Sequence, residues 1–150
     1  MFVRELMLHM KSLFWCLKKD RERYNIKLIV DCLNAGHVPE SIQGTHLGQN
    51  LNYLIRELSQ RGGVRPLLSA LRRISNSKTR MKISSGNIEL GQYLKTTKQV
   101  GEIPIGSYGV VTFLQKSIKG LFFVEDNSKS ELISRDVSEH QVRVICGTSI

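Results

Sequence analysis

Apolar residues in the first half of the chain recur at i, i+3, i+4 and i+7. Beyond residue 80 they alternate, or run together in short β-branched stretches between glycine-bearing turns. A period of 3.6 and a period of 2 cannot serve one kind of element, so the pattern predicts a helical unit followed by a β unit, an α+β chain in two segregated modules. Between them Ser75-Asn76-Ser77-Lys78-Thr79-Arg80 has no apolar face. The expected boundaries are a helical domain over 1–75, a linker over 76–86 and a β domain over 87–150.

In the helical unit, Val3, Leu6, Met10, Leu13, Phe14 and Leu17 form one stripe and Arg4, Lys11 and Lys18 the opposite face, an amphipathic helix. Phe2 and Trp15 fall off that stripe, which makes them either packing residues against neighbouring helices or anchors for a partner. A second helix is expected over 21–34, capped by Asp20 and stopped by Gly36, then a short helical piece over 39–43 led by Pro39. Thr45 is the expected cap of a helix carrying Leu47, Leu51, Leu54, Ile55 and Leu58, which Arg61-Gly62-Gly63 ends. The last helix, 64–74, turns Leu67, Leu68, Leu71 and Ile74 inward and Arg72 and Arg73 outward, with Pro66 in its first turn. In the β unit, strands are expected at 92–99, 110–114, 121–125, 131–133 and 141–145, with one helical turn at 137–140. Five short strands separated by turn signals predict a small barrel.

Charge changes this picture by locating a surface. The chain carries 22 Lys and Arg against 13 Asp and Glu, and residues 1–80 alone hold 14 of the former and 6 of the latter. An excess of this kind suits an acidic protein surface or nucleic acid. No aromatics alternate with the basic residues, which favours a protein partner and leaves nucleic acid as the alternative. Arg56, Arg61, Arg65, Arg72 and Arg73 gather in sequence around the last two helices, and the planar guanidinium pairs bidentately with carboxylates. These five, with Phe2 and Trp15, are the candidate partner-binding residues, and the spacing of the arginines places most of them near one end of the bundle.

Candidate chemistry adds little. Cys16, Cys32 and Cys146 form no CxxC pair, which excludes the common zinc and redox motifs and suits a reducing cytoplasm. His9, His37, His46 and His140 fall on different elements. Gly106 and Gly109 lack the spacing of a phosphate-binding fingerprint, and Glu125-Asp126 reads as a turn pair. No catalytic, cofactor-binding or metal-binding residue is expected, and the chain reads as a non-enzyme. Arg4, Glu5, His9 and Lys11 interrupt the apolar N-terminus, so neither a leader peptide nor a membrane span is expected.

Two stretches carry resemblances. GQNLNYLIRELSQRGGVRPLLSALRRIS, residues 48–75, resembles the closing helices of bacterial effector-associated domains, which are death-like adaptor modules. The Glu57–Gly62 turn and the Leu67, Leu68, Leu71, Arg72, Arg73 helix carry the likeness, and 33–39 resembles the mid-domain break. The first helix departs from the pattern by its basic charge. IPIGSYGVVTFL and GLFFVED, with SRDVSEHQVRVI at the end, resemble small SH3-like barrels over about 90–146. The resemblances imply a cytoplasmic adaptor in a bacterial signalling or conflict system. It would bind another death-like domain or an acidic protein surface, and self-association is compatible with them. A regulatory subunit of a larger complex is a further alternative.

Overall fold

The change of period near residue 80 is a change of element. The computed structural model describes residues 2–19, 26–76, 84–85, 88–114, 117–125 and 129–145. Among the described residues, five helices come first: α1 Phe2–Lys19, α2 Ile26–Ala35, α3 Glu40–Gln43, α4 His46–Ser59 and α5 Arg65–Asn76. Seven strands follow: β1 Ser84–Ser85, β2 Ile88–Glu89, β3 Tyr93–Thr96, β4 Tyr108–Leu114, β5 Ile118–Glu125, β6 Ser130–Val137 and β7 Val142–Ile145. The chain is thus α+β with its helices and strands segregated along the sequence.

Local chemistry fixes the helix ends. Thr45 is the cap of α4, its side-chain oxygen accepting from the Gly48 N–H at 3.0 Å. Gly36, with φ +78°, closes α2 by donating its N–H to the Cys32 carbonyl at 2.9 Å. Pro66 occupies the first turn of α5, where its missing N–H has no intrahelical partner to lose. The proposed cap Asp20 lies outside the described residues, and α2 is described from Ile26.

The large sheet is antiparallel with the order β6-β5-β4-β3-β7, so the last strand lies beside the first of the meander. Three expectations need correction. Within the predicted linker over 76–86, Asn76 ends α5 and Ser84–Ser85 form β1, which pairs with β2 of the β unit, and the rest of the linker lies outside the described residues. The predicted helical turn at 137–140 is absent. Val137 instead ends β6, and a tight turn follows, closed by Gln141 N–H to Ser138 O at 3.0 Å and Ser138 N–H to Gln141 Oε1 at 2.9 Å. β6 is also longer than the predicted 131–133, because all eight of its residues pair with β5.

Both faces of this sheet are buried, and they belong to different cores. Tyr93, Val110, Leu121, Phe123, Leu132 and Ile145 join the helical side chains Leu6, Met10, Leu33, Leu54, Leu67 and Leu71 in one apolar cluster. Their sequence neighbours Leu94, Val111 and Phe122 point the other way. There they join Ile88, Val100, Ile103, Leu114, Ile118, Val137 and Val142 in a second cluster. Period-2 alternation therefore sends apolar residues to both sides, which is why the strands read as continuous apolar runs. α1 crosses β4, and α5 lies against β4, β5 and β6. Lys11 of α1 also stands over the Tyr93 ring of β3, 4.5 Å from its centroid.

Glycines allow close approaches within the sheet and at the α4–α5 turn. The Phe122 ring lies flat across Gly109, its cross-strand partner, and Gly120. A Cβ would come within 2.5 Å of the ring at Gly109 and 2.6 Å at Gly120. Gly62, in the α4–α5 turn, has φ +90°, and a Cβ there would sit 3.0 Å from the Glu131 Cβ and 3.2 Å from the Ser130 carbonyl oxygen. The turn is therefore seated against the start of β6, covering one end of an edge strand.

A shared core predicts joint unfolding. Leu121 is fully buried on the sheet face that meets the helices, and Leu121→Ala should cost about 2–5 kcal/mol. Along a urea titration of this variant, helical ellipticity and amide protection in β4 and β5 should be lost together. Helical signal that survives loss of the sheet would contradict the shared core.

Candidate binding surface

Helix α5 is amphipathic in the strict sense. Leu67, Leu68, Ala70, Leu71 and Ile74 are buried, while Arg65, Ser69 and Arg72, at i, i+4 and i+7, are exposed. The apolar stripe locks the helix onto the sheet and the second helix, so the two arginines stand on a fixed support. They are separated along the axis by about 10 Å.

Three of the five candidate arginines, Arg56, Arg61 and Arg65, lie around the α4–α5 turn, and Arg72 and Arg73 lie toward the other end of α5. Arg56, in the last turn of α4, lies over the Tyr53 ring, 5.6 Å from its centroid, and its Nε stands 3.4 Å from Glu57 Oε1. Arg61 is half-buried in the α4–α5 turn, and Arg65 opens α5 beside it. Arg72 and Arg73 lie at the far end of α5. Arg73 is half-buried, and its Nη1 is shut away from solvent with no hydrogen-bond acceptor among the described residues. Phe2 and Trp15 both lie in α1, their side chains outside the described residues.

At the α4–α5 turn a cleft of about 370 Å³ separates the two layers. Gln60, Arg61 and Gly62 form one wall, and Lys129, Ser130 and Glu131 of the β5–β6 hairpin form the other. The helical half supplies one cation and the sheet half a second, with a carboxylate beside it. A smaller hollow of about 240 Å³ lies between Val3 and the β3–β4 loop, lined by Pro104, Ile105, Tyr108, Phe123 and Glu125 among others.

A third polar feature ties α1 to α4. His9 Nδ1 donates to Asn50 Oδ1 at 2.7 Å, and the Asn50 amide donates to Ser12 Oγ at 2.9 Å. Ser12 Oγ in turn lies 3.0 Å from His46 Nε2, and the His9 ring stacks on Tyr53 with centroids 3.9 Å apart. Burial and the nearby Glu5 and Glu57 push the Tyr53 phenol up to about 12. It therefore stays protonated through the neutral range, as a donor and not a base. Ser12 and His46 have the spacing of a nucleophile and base, but the Asn50 amide already engages the serine oxygen. The arrangement is a hydrogen-bonded tie around a buried asparagine.

Sequence reasoning left the two histidines in separate elements and passed over Ser12, Asn50, Lys129 and Glu131. For Asn50 a signal existed, since it sits on the apolar stripe between Leu47 and Leu54, where a polar residue requires partners. Lys129 and Glu131 carry no such signal, because only the docking of the turn on β6 brings them to Arg61. Among the described residues, no helix is long and apolar enough to cross a membrane. Comparison with known proteins finds no match to a family model, a curated protein or a solved structure.

The tie predicts a stability effect. Asn50 is 3 % exposed, and Asn50→Ala removes the group that joins His9 to Ser12, at a cost of about 1–3 kcal/mol. Urea denaturation should show a lower midpoint with an unchanged slope. An unaltered midpoint would mean the network carries no structural load.

Proposed function

We propose that the chain is a non-catalytic protein-interaction module that takes an acidic protein partner on the arginine-bearing surface of α4 and α5. The observation that carries this reading is the exposed pair Arg65 and Arg72 on a helix whose opposite stripe is held in the shared core. Cations on an anchored helix lose little freedom when a partner arrives, so more of their pairing energy appears as affinity. Arginine is also enriched at protein interfaces and pairs with carboxylates through two parallel hydrogen bonds.

The finer identity belongs to the same proposal. A β7 strand beside β3 supports reading the sheet as SH3-like. The 48–75 motif supports reading the helices as a death-like, effector-associated module, and an adaptor in a bacterial signalling or conflict system is the role that follows. Both folds host many functions, so the surface and not the fold bears the weight. A cytoplasmic setting is part of the proposal and rests on the cysteine pattern.

Arg65→Glu with Arg72→Glu is the direct test, since both side chains are exposed and the fold should tolerate the change. Arg73 is left unchanged because its Nη1 is buried. Binding of a fluorescein-labelled oligoglutamate peptide should weaken about tenfold, mainly through slower association. Binding of an oligonucleotide should be weak and collapse with salt, at roughly 0.9 log unit per phosphate contact for each tenfold rise. Unchanged peptide affinity in a folded variant, or a salt-resistant and sequence-selective nucleic-acid complex, would contradict the proposal.

A further inference from the structure

We infer that the cleft between the α4–α5 turn and the start of β6 is the specificity site of this surface, and that it takes a peptide segment in which an acidic residue neighbours a basic one. The inference rests on the acidic-partner reading and goes beyond it by assigning the anchor and the sequence chemistry of the ligand.

Three observations carry it. First, the cleft is built from both layers, Gln60, Arg61 and Gly62 facing Lys129, Ser130 and Glu131 across about 370 Å³. That is at the small end of ligand-binding clefts, with room for one or two side chains. Second, its floor is fixed. Gly62 is in contact with Glu131 and Ser130 so closely that a Cβ would meet the Glu131 Cβ at 3.0 Å. The approach of the turn backbone to the start of β6 is therefore set by close packing. Third, its charges are mixed. Arg61 is a cation on one wall, and Lys129 and Glu131 put a second cation and a carboxylate on the other.

The third observation decides the class of ligand. A phosphate backbone wants a continuous row of cations, and Glu131 interrupts one here. A peptide with adjacent opposite charges satisfies all three groups at once: its carboxylate receives the Arg61 guanidinium and the Lys129 ammonium, and its own cation meets Glu131. Such a site discriminates by repulsion as well as attraction, since Glu131 penalises a purely acidic ligand. Arg65, exposed at the start of α5, follows Arg61 by four residues.

The test compares three fluorescein-labelled probes: an oligoglutamate, a peptide of alternating glutamate and lysine, and oligothymidine. The wild-type chain should prefer the alternating peptide. Arg61→Gln with Lys129→Gln should weaken both peptides by about tenfold or more, as expected for loss of charged hydrogen bonds. Glu131→Gln should tighten oligoglutamate severalfold and erase the preference for mixed charge. Urea midpoints establish that each variant is folded, and Lys129→Gln alone, at an exposed position, serves if the double variant is not. Normal peptide binding by the folded cleft variant, alongside weak binding by Arg65→Glu with Arg72→Glu, would overturn the cleft and leave the α5 surface standing. If neither pair of changes alters binding, or no peptide binds, both readings fall. Tighter binding of oligothymidine than of either peptide, lost in the cleft variant, would assign the site to nucleic acid instead.

Discussion

Everything in this chain depends on one apolar contact, the packing of α1 and α5 against one face of the five-stranded sheet. Tyr93, Val110, Leu121, Phe123, Leu132 and Ile145 are sheet residues, yet they belong to the same cluster as the leucines of the helices. Neither unit is large. A domain of 60 to 80 residues buries only a modest share of its surface and is marginal by itself. Sharing a core lets each half complete the other. It also explains why the strands carry apolar residues on both faces, since one face meets the helices and the other a separate cluster around Phe122.

The same contact makes the proposed surface. An exposed arginine on a fraying helix is a mobile charge, whereas Arg65 and Arg72 ride on a helix held at three strands. The seating of Gly62 on Ser130 and Glu131 adds a second, smaller junction between the layers. It covers one end of the β6 edge, which would otherwise offer unpaired backbone to another strand. In doing so it brings together a mixed set of charges that neither half possesses alone.

Much of the element order was legible because it depends on local pattern. The leucine stripes of α4 and α5, the Thr45 cap and the Gly36 stop are set by side chains within a few residues of one another. β6 was read too short because Ser134, Arg135 and Asp136 are polar on a partly exposed edge strand, which hides its alternation. The β1–β2 hairpin was missed because strands of two residues, Ser84–Ser85 and Ile88–Glu89, leave no periodic signal. Two units this small imply a tight pack between them or a partner for one, but which residues make the contact was illegible for a different reason. Alternation tells which residues are buried, not what covers them, and short strands between turn signals predict a small barrel without saying which face meets the helices. The cleft followed from the same gap, since Arg61 lies near Lys129 and Glu131 only after the layers dock. The polar tie was half-visible, with Asn50 flagged by its place on an apolar stripe and its partners fixed only by the crossing of α1 and α4.

The most direct test of the shared core is to cut the chain between the two units and ask whether they stay together. A site-specific protease sequence inserted within 77–83, between α5 and β1, allows the two units to be cut apart. The shared core predicts that the two fragments co-elute as a single species after cleavage and unfold in one urea transition, separating only when denatured. Fragments that part under native conditions, with the helical piece remaining folded by itself, would contradict it.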